Sequence, residues 1–209
     1  MNIVKKKLRN PVINIGLFAN IKEDELNGIL KKIEDHILKR MYKFVYPRKP
    51  LEIDKVFYRK TISLEWIKPE QLKIKKEYVN QLGFAELCIK KMDEAISVSD
   101  KLECISNALD TVNCTIEFSK GANNKVSKDE LSTIFQFILI KAQPKRIFSN
   151  ITYIKCFLDT DELKGKKEEL FSLIENAAFS ILRVNGEQLG ISNEEFAKNL
   201  EEAKKRNNI

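Results

Sequence analysis

The chain has 209 residues, of which 37 are basic and 30 acidic, so its formal charge at pH 7 is +7. Because the lysines are interspersed with acidic residues, this charge is typical of a solvated surface and argues against a dedicated nucleic-acid-binding patch. A hydrophobic content of 43% is enough for one domain that buries about 70% of the surface of its unfolded chain, and a second large domain is not expected.

Several kinds of catalytic centre lack the residues that they need. His36 is the only histidine, which argues against Cys/His zinc sites and against Ser-His or Cys-His hydrolytic centres. No Walker loop or Gly-x-Gly-x-x-Gly motif is present, so no nucleotide site is expected. We expect a reduced, cytosolic protein without a metal or cofactor, since no Cys-x-x-Cys spacing occurs among the four cysteines, Cys88, Cys104, Cys114 and Cys156.

The first residues are basic, but no long apolar core ending in small residues follows them, so no secretory signal is expected. No apolar run approaches the roughly 18 residues that a membrane-spanning helix needs, and any membrane contact is expected to be peripheral. Residues 1–20 have the composition of a mobile basic leader.

Helical periodicity begins at Lys22 and continues to Phe44. Asp54–Ile62 is predicted to form a short helix, and Leu64–Leu72 a loop that enters another helix with Pro69 near its first position. The first of these helices carries one apolar stripe, predicted to be buried, which consists of Leu26, Ile29, Leu30, Ile33, Ile37 and Met41.

The middle of the chain continues this pattern. Phe84–Ile96 is predicted to form an amphipathic helix, and Ser99 or Asp100 to cap the next one. Ser119–Val126, with a glycine and two asparagines, is predicted to be a polar loop.

Ser127 and Glu130 have the spacing of a capping box, which predicts that a helix begins here. The helix is apolar on most faces until Pro144, so it is predicted to be buried and central. Asp129 lies in its first turn, where the helix dipole alone favours a carboxylate by about 0.3–1 kcal/mol. Ser149 is predicted to cap a second helix.

After a predicted polar turn at Asp159–Lys167, one more long helix is expected, and Ser192 with Glu195 forms another capping box. No stretch alternates apolar and polar residues for long, so the predicted fold class is all-α, a layered array of helices. After the leader, 21–98 is predicted to be an N-terminal helical part, and 99–209 a core that forms one unit with it.

Seven stretches together resemble a known family: Tyr42–Tyr46, Leu64–Leu72, Asp100–Ile105, Asp129–Leu131, Lys141–Pro144, Ser149–Ile154 and Leu189–Glu195. They are similar to the signature of the Vps-nine domain of Rabex-type guanine nucleotide exchange factors. The resemblance extends over residues 22–200. It implies an N-terminal helical bundle packed on a Vps-nine-like helical core.

The resemblance also implies an activity, which is the non-covalent acceleration of GDP release from Rab-family small GTPases of the early endosome. Asp129 falls on the position of an aspartate that reaches into the GTPase, competes with magnesium and engages the phosphate-loop lysine. Asn150, Tyr153 and Ser172 fall around the groove that binds the switch regions. The implied setting is endocytic vesicle and protein transport, with a cytoplasmic protein that is peripheral at early endosomes.

At two positions the chain departs from the family pattern. Thr133 stands where the family has proline, and Glu169 where it has a tyrosine that contacts the switch regions, while Ser172 keeps the hydroxyl of a family threonine. A one-residue slip of this helix would instead place Phe171 at the aromatic position.

Three hypotheses therefore stand after the sequence alone. The first is a Rab exchange factor, and the second is a catalytically impaired module that binds a GTPase or other partner as a scaffold. The third is a basic helical protein that binds nucleic acid or an anionic membrane.

Overall fold

A computed structural model of the chain describes residues 3–15, 21–120, 127–158 and 165–208. These residues form α-helices and two 3-10 turns, Pro69–Leu72 and Glu187–Leu189, without any strand, so the predicted all-α class is confirmed. The helices are α1 (Ile3–Ile13), α2 (Glu23–Val45), α3 (Glu52–Ser63), α4 (Lys76–Val79), α5 (Gly83–Lys91), α6 (Val98–Lys120), α7 (Lys128–Ala142), α8 (Ile147–Phe157), α9 (Lys166–Arg183) and α10 (Asn193–Asn207).

Helix α7 is the central helix, as predicted. It packs against α5 and α9, with a smaller contact to α3, while α6 packs on the far side of α5 and also meets α8. Its N-cap is Ser127, whose hydroxyl accepts the backbone N–H of Glu130 at 3.1 Å. Gln143 ends it in the left-handed conformation. From Ile134 onward nearly every side chain is buried, so only its first turns face solvent.

The predicted apolar stripe of α2 is only partly buried. Leu26 and Leu30 pack with Val12 of α1 in a small separate core. Farther along, a different face of α2 turns to the main core, and Ile37 and Met41 are exposed. The prediction was wrong at these two residues because the main core contacts Leu38, Tyr42 and Val45 instead, on another face of α2.

Two helix boundaries differ from the predicted ones, and a side-chain cap explains the second of them. The helix predicted for Phe84–Ile96 ends at Lys91. The next helix, α6, begins at Val98, and the hydroxyl of Ser97 accepts the backbone N–H of Asp100 at 3.0 Å. The cap is therefore Ser97, and the prediction of Ser99 or Asp100 was wrong by two or three residues.

Helix α8 begins at Ile147, so Ser149 is its third residue and not its cap. The fully buried Asp54 of α3 takes over the capping. Its carboxylate accepts the backbone N–H of Phe148 at 2.8 Å and of Ser149 at 3.2 Å, and also the Ser149 hydroxyl. The prediction failed because the group that satisfies these N–H donors lies 95 residues away in the chain.

The segment between α3 and α4 is fastened to the end of α7. The ammonium of Lys141 donates to the carbonyls of Glu65 at 2.7 Å and Ile67 at 3.0 Å. The Trp66 ring packs on Phe196 of α10 with 6.0 Å between ring centroids. Two of the stretches that carry the family resemblance therefore hold each other in place inside the domain.

Parts of three predicted segments lie outside the described residues: 1–2 and 16–20 of the leader, 121–126 of the polar loop, and 159–164 of the turn before α9. Within the leader, Ile3–Ile13 is helical and Arg9 donates to Glu23 at 2.6 Å.

Asp54 provides the first test of this structure. Asp54→Ala leaves the buried N–H groups of Phe148 and Ser149, and the part-buried N–H of Leu51, without their acceptor, so the free energy of unfolding should fall by about 3 kcal/mol. The measurement is urea unfolding at pH 7. Glu52→Ala, an exposed carboxylate on the same helix, is the matched control and should stay close to wild type. Equal stability of the two variants would contradict the capping role.

Candidate functional site

The exposed start of α7 carries Asp129. The Ser127 cap fixes the first turn, and the buried remainder of the helix holds that turn in place. Asp129 is exposed and forms no ion pair with any residue that the structure describes. The helix dipole favours a carboxylate at a helix N-terminus, so Asp129 suits this position without an internal cationic partner.

Thr133 lies one turn after Asp129 on the same side of α7 and is half-buried. Its hydroxyl donates to the backbone carbonyl of Asp129 at 2.8 Å, a bond that stays within the helix. Because its proton is engaged in this bond, the Thr133 hydroxyl can only accept a hydrogen bond from a partner.

The first turns of α9 lie beside this end of α7. The ammonium of Lys128 approaches the Glu169 carboxylate at 3.4 Å, and both side chains are largely exposed. Ser172 lies one turn farther along α9 and is also exposed, whereas Phe171 is buried. The structure therefore does not have the one-residue shift of α9 that would present Phe171 to solvent. We call the exposed side formed by Asp129, Thr133, Glu169 and Ser172 the α7/α9 surface.

Asn150, which sequence reasoning placed at the switch-binding groove, is completely buried. Its side-chain oxygen accepts the Tyr46 hydroxyl and the Lys101 ammonium, each at 2.7 Å. Its amide donates to the Asp93 carboxylate at 2.8 Å. All of these bonds are internal, so Asn150 joins α8 to α6 and to the segments that follow α2 and α5.

Tyr153 is buried as well, one turn farther along α8. Its ring meets those of Tyr42 and Tyr46 edge to face, with centroids 5.5 and 5.4 Å apart. Its hydroxyl has no hydrogen-bond partner among the described residues, and burial raises its pKa to about 12. Tyr153 thus packs α8 against α2 and does not lie on the α7/α9 surface.

Sequence reasoning missed the charged groups of this internal network. Lys101 is completely buried, and its ammonium also donates to the carbonyl of Met92 at 2.9 Å and lies 4.9 Å from the Tyr46 ring centroid. Asp93 accepts the backbone N–H of Lys145 at 2.7 Å. The sequence did mark Lys101, which belongs to the family-like stretch Asp100–Ile105. No sequence pattern marked Asp93 or Asp54.

Burial shifts the pKa values of this network in the directions that disfavour charge. It lowers the pKa of Lys101 to about 8, against an opposing effect of Asp93. It also raises the pKa of Asp93, although the hydrogen bonds from Lys145 and Asn150 act the other way. Burial therefore disfavours the charged forms of Lys101 and Asp93, although both side chains are hydrogen-bonded.

The described part of the chain gives little support for a metal site or a membrane-spanning helix. Among its residues no group of three or more His, Cys, Asp or Glu side chains could hold a metal ion. No helix among them combines the length and hydropathy that a membrane crossing requires. What the α7/α9 surface offers is a fixed, exposed carboxylate with hydroxyl and charged neighbours on a rigid support.

Comparison with known proteins now assigns the family. Residues 82–204, from the start of α5 into α10, match the vacuolar sorting protein 9 (VPS9) domain. The chain belongs to the VPS9 domain family. The match includes α7, α8 and α9, and with them all six candidate site residues.

Curated relatives are similar over most of this chain. Vacuolar protein sorting-associated protein 9A of Oryza sativa subsp. japonica is 24% identical over 90% of the chain and 41% of its own length. Rab5 GDP/GTP exchange factor of Mus musculus is 26% identical over 85% of the chain and 38% of its own length. Vacuolar protein sorting-associated protein vps901 of Schizosaccharomyces pombe is 25% identical over 90% and 35%. The chain thus spans about two fifths or less of these relatives.

Lys101 gives a pH test of the network behind this VPS9 surface. Because the pKa of Lys101 is lowered in the folded state, the folded protein releases the ammonium proton near pH 8, whereas the unfolded chain keeps this proton until about pH 10.5. Between these values the unfolded chain binds more protons, so Lys101 should add stability as pH rises, on the order of 2 kcal/mol.

The measurement compares guanidinium unfolding of wild type and Lys101→Met between pH 7 and 10. The wild-type free energy of unfolding, minus that of the variant, should be constant below about pH 8 and increase above it. A difference that stays flat or decreases with pH would contradict the lowered pKa.

Proposed function

We propose that this VPS9 domain is a guanine nucleotide exchange factor for a Rab-family small GTPase of the early endosome. Membership of the family supports this, as does the similarity to a mouse protein named Rab5 GDP/GTP exchange factor. The single observation that carries the proposal is Asp129, an exposed carboxylate at the capped end of a buried helix, without an ion pair to any described residue. The catalyst forms no covalent bond with the nucleotide or the GTPase.

In the proposed mechanism, the Asp129 carboxylate enters the nucleotide site of the GTPase. There it competes with the magnesium ion and engages the phosphate-loop lysine, so GDP loses two of its cationic contacts and GTP replaces it. A thousandfold acceleration needs a barrier about 4 kcal/mol lower. A charge pair shielded from water can supply that much, whereas an exposed pair is worth only about 0–1 kcal/mol.

The structure of α7 suits this task. The Ser127 cap and the buried residues from Ile134 onward prevent the first turn from folding back when its carboxylate meets a partner. Pre-organisation of this kind reduces the entropy that is lost on binding. Ser172 and Glu169, on the neighbouring turn of α9, are the proposed contacts to the switch regions, and Thr133 borders them.

Asn150 and Tyr153 have a different proposed role. Because both are buried, they act as positioning residues that hold α8, and through it α9, against α2 and α6. Their effect on exchange is indirect and passes through the placement of the α7/α9 surface. The proposed setting is endocytic transport by a cytoplasmic protein that is peripheral at early endosomes.

One observation favours the alternative hypothesis of an impaired module that serves as a scaffold. Glu169 stands where the resemblance expects an aromatic switch contact, and it adds a negative charge beside Asp129. Lys128 lies 3.4 Å from Glu169 and partly offsets that charge. An impaired module would still bind the GTPase but would not accelerate GDP release.

Asp129→Ala tests the catalytic carboxylate. The measurement is the release of a fluorescent GDP analogue from a panel of endosomal Rab GTPases. Wild type should accelerate release, and the variant should lose at least about a hundredfold of that acceleration, which corresponds to about 3 kcal/mol. Thermal unfolding should change little, because an exposed first-turn carboxylate contributes at most about 1 kcal/mol.

Glu168→Ala is the matched control, because it removes an exposed carboxylate from the neighbouring first turn of α9. It should exchange at the wild-type rate. An Asp129→Ala variant that remains as active as Glu168→Ala would exclude the proposed mechanism. Wild-type protein that binds a nucleotide-free GTPase without accelerating release would instead support the scaffold.

Glu169 is tested with two substitutions in the same assay. Glu169→Tyr provides an aromatic contact and should accelerate release at least about threefold, since tyrosines are frequent in the energetically dominant parts of interfaces. Glu169→Gln removes only the charge and separates electrostatic from aromatic effects. Slower release with Glu169→Tyr on every GTPase tested would show that the glutamate itself is a preferred contact.

A further inference from the structure

A second surface of the domain contains an open cleft between α5 and α6. Its volume is about 510 Å³, and its lining includes Gln81, Phe84, Asn107, Asp110, Cys114 and Phe118. None of the lining residues belongs to α7, α8 or α9. The cleft is therefore separate from the proposed exchange site.

Two phenylalanines of this cleft are unusually accessible. Phe118 is 83% exposed and Phe84 is 57% exposed. A fully buried aromatic side chain gains about 1.5–3 kcal/mol from leaving water, so each ring has most of that gain still available. Exposed apolar groups that gather around a concave surface are typical of binding sites, whereas scattered single residues are not.

Two threonine hydroxyls that line the cleft donate their protons to backbone carbonyls of α6 itself. Thr111 donates to the carbonyl of Asn107 at 2.7 Å, and Thr115 to the carbonyl of Thr111 at 2.8 Å. Because these protons are already used, the bottom of the cleft offers few free donors to a ligand. An apolar ligand surface suits it better than a strongly polar one.

One edge of the cleft is acidic. Glu103, Asp110 and Glu117 are all exposed and recur every seven residues, so they lie along one side of α6. None of them forms an ion pair with a residue that the structure describes. Residues 102–119 contain no lysine or arginine, although the whole chain has 37. Within residues 102–119 this acidic edge therefore has no basic side chain beside it on α6, although the protein has a net charge of +7.

We propose that the α5/α6 cleft binds a basic amphipathic helix of a partner protein. The apolar side of that helix would pack on Phe84 and Phe118, and its cationic side would face the three carboxylates. From Glu103 to Glu117 the edge extends 14 residues, or about 21 Å, so a partner helix of about four turns matches it.

A second copy of this chain fits less well. The chain's own basic helix, α1, is already packed on α2, where Val12 is buried against Leu26 and Leu30. To occupy the cleft of a neighbour, α1 would have to expose that small core. We therefore assign the cleft to a helix of another protein and not to α1 of a second copy.

Cys114 provides a direct readout because its exposed thiol lies in the cleft, while Cys156, exposed on α8, lies outside it. The probe is a synthetic 18-residue helix of leucine and lysine, compared with a leucine and glutamate helix of the same pattern. At ten times its Kd the lysine peptide should slow the alkylation of Cys114 by iodoacetamide about tenfold. The rate at Cys156 should not change, and the glutamate peptide should protect neither thiol.

Variants separate local recognition from general attraction. Asp110→Lys and Glu202→Lys change the net charge equally, but Glu202 lies on α10, outside the cleft. Asp110→Lys should raise the Kd of the lysine peptide about tenfold, and Glu202→Lys less than about twofold. Phe118→Ser, a change at an exposed position that should leave the fold intact, should also weaken binding.

Three results would overturn the proposal. The first is a lysine peptide that leaves Cys114 unprotected, and the second is an equal change of Kd in the two charge reversals. The third is protection of Cys114 that rises with protein concentration in the absence of peptide and is lost in Phe118→Ser. That result would assign the cleft to a second copy of the chain.

Discussion

The buried hydrogen bonds at the start of α8 are the constraint on which the rest of the domain depends. Asp54 of α3 satisfies the first N–H groups of α8, and Asn150 connects the same turn to Lys101 of α6. From there α8 positions α9, through a 2.7 Å ion pair between Lys155 and Glu175 and through ring packing of its first turn on Phe179. The exposed α7/α9 surface therefore rests on polar groups that are buried inside the domain.

The sequence made these internal residues hard to distinguish from contact residues. Asn150 and Tyr153 belong to a stretch that resembles the family signature, and a polar side chain in such a stretch can bind a partner or hold the fold. What decides between the two is the position of Tyr46 and Lys101, which lie 104 and 49 residues from Asn150 in the chain. Local periodicity contains no information about contacts of that range, whereas the exposure of Asp129 follows from a local cap.

The same difference explains how much of the fold could be predicted. Helix starts were predicted correctly where the capping group is local, as at Ser127 and Ser192, whose hydroxyls accept the N–H three residues ahead. At α8 the prediction failed because the acceptor is Asp54, from another helix. The exposure of Ile37 also depended on tertiary structure, since α1 covers one face of α2 near its start and the main core covers a different face farther along.

The buried charged groups of the domain have hydrogen-bond partners inside it, whereas the exposed Asp129 pairs with no cation among the described residues. Asp54 is surrounded by donors, and Lys101 and Asp93 share Asn150 between them. The Lys128 ammonium, nearest in the chain to Asp129, lies against Glu169. Among the residues that the structure describes, Asp129 therefore has no cationic partner on its rigid support, and under the proposed mechanism a cation in the nucleotide site of the GTPase would provide one.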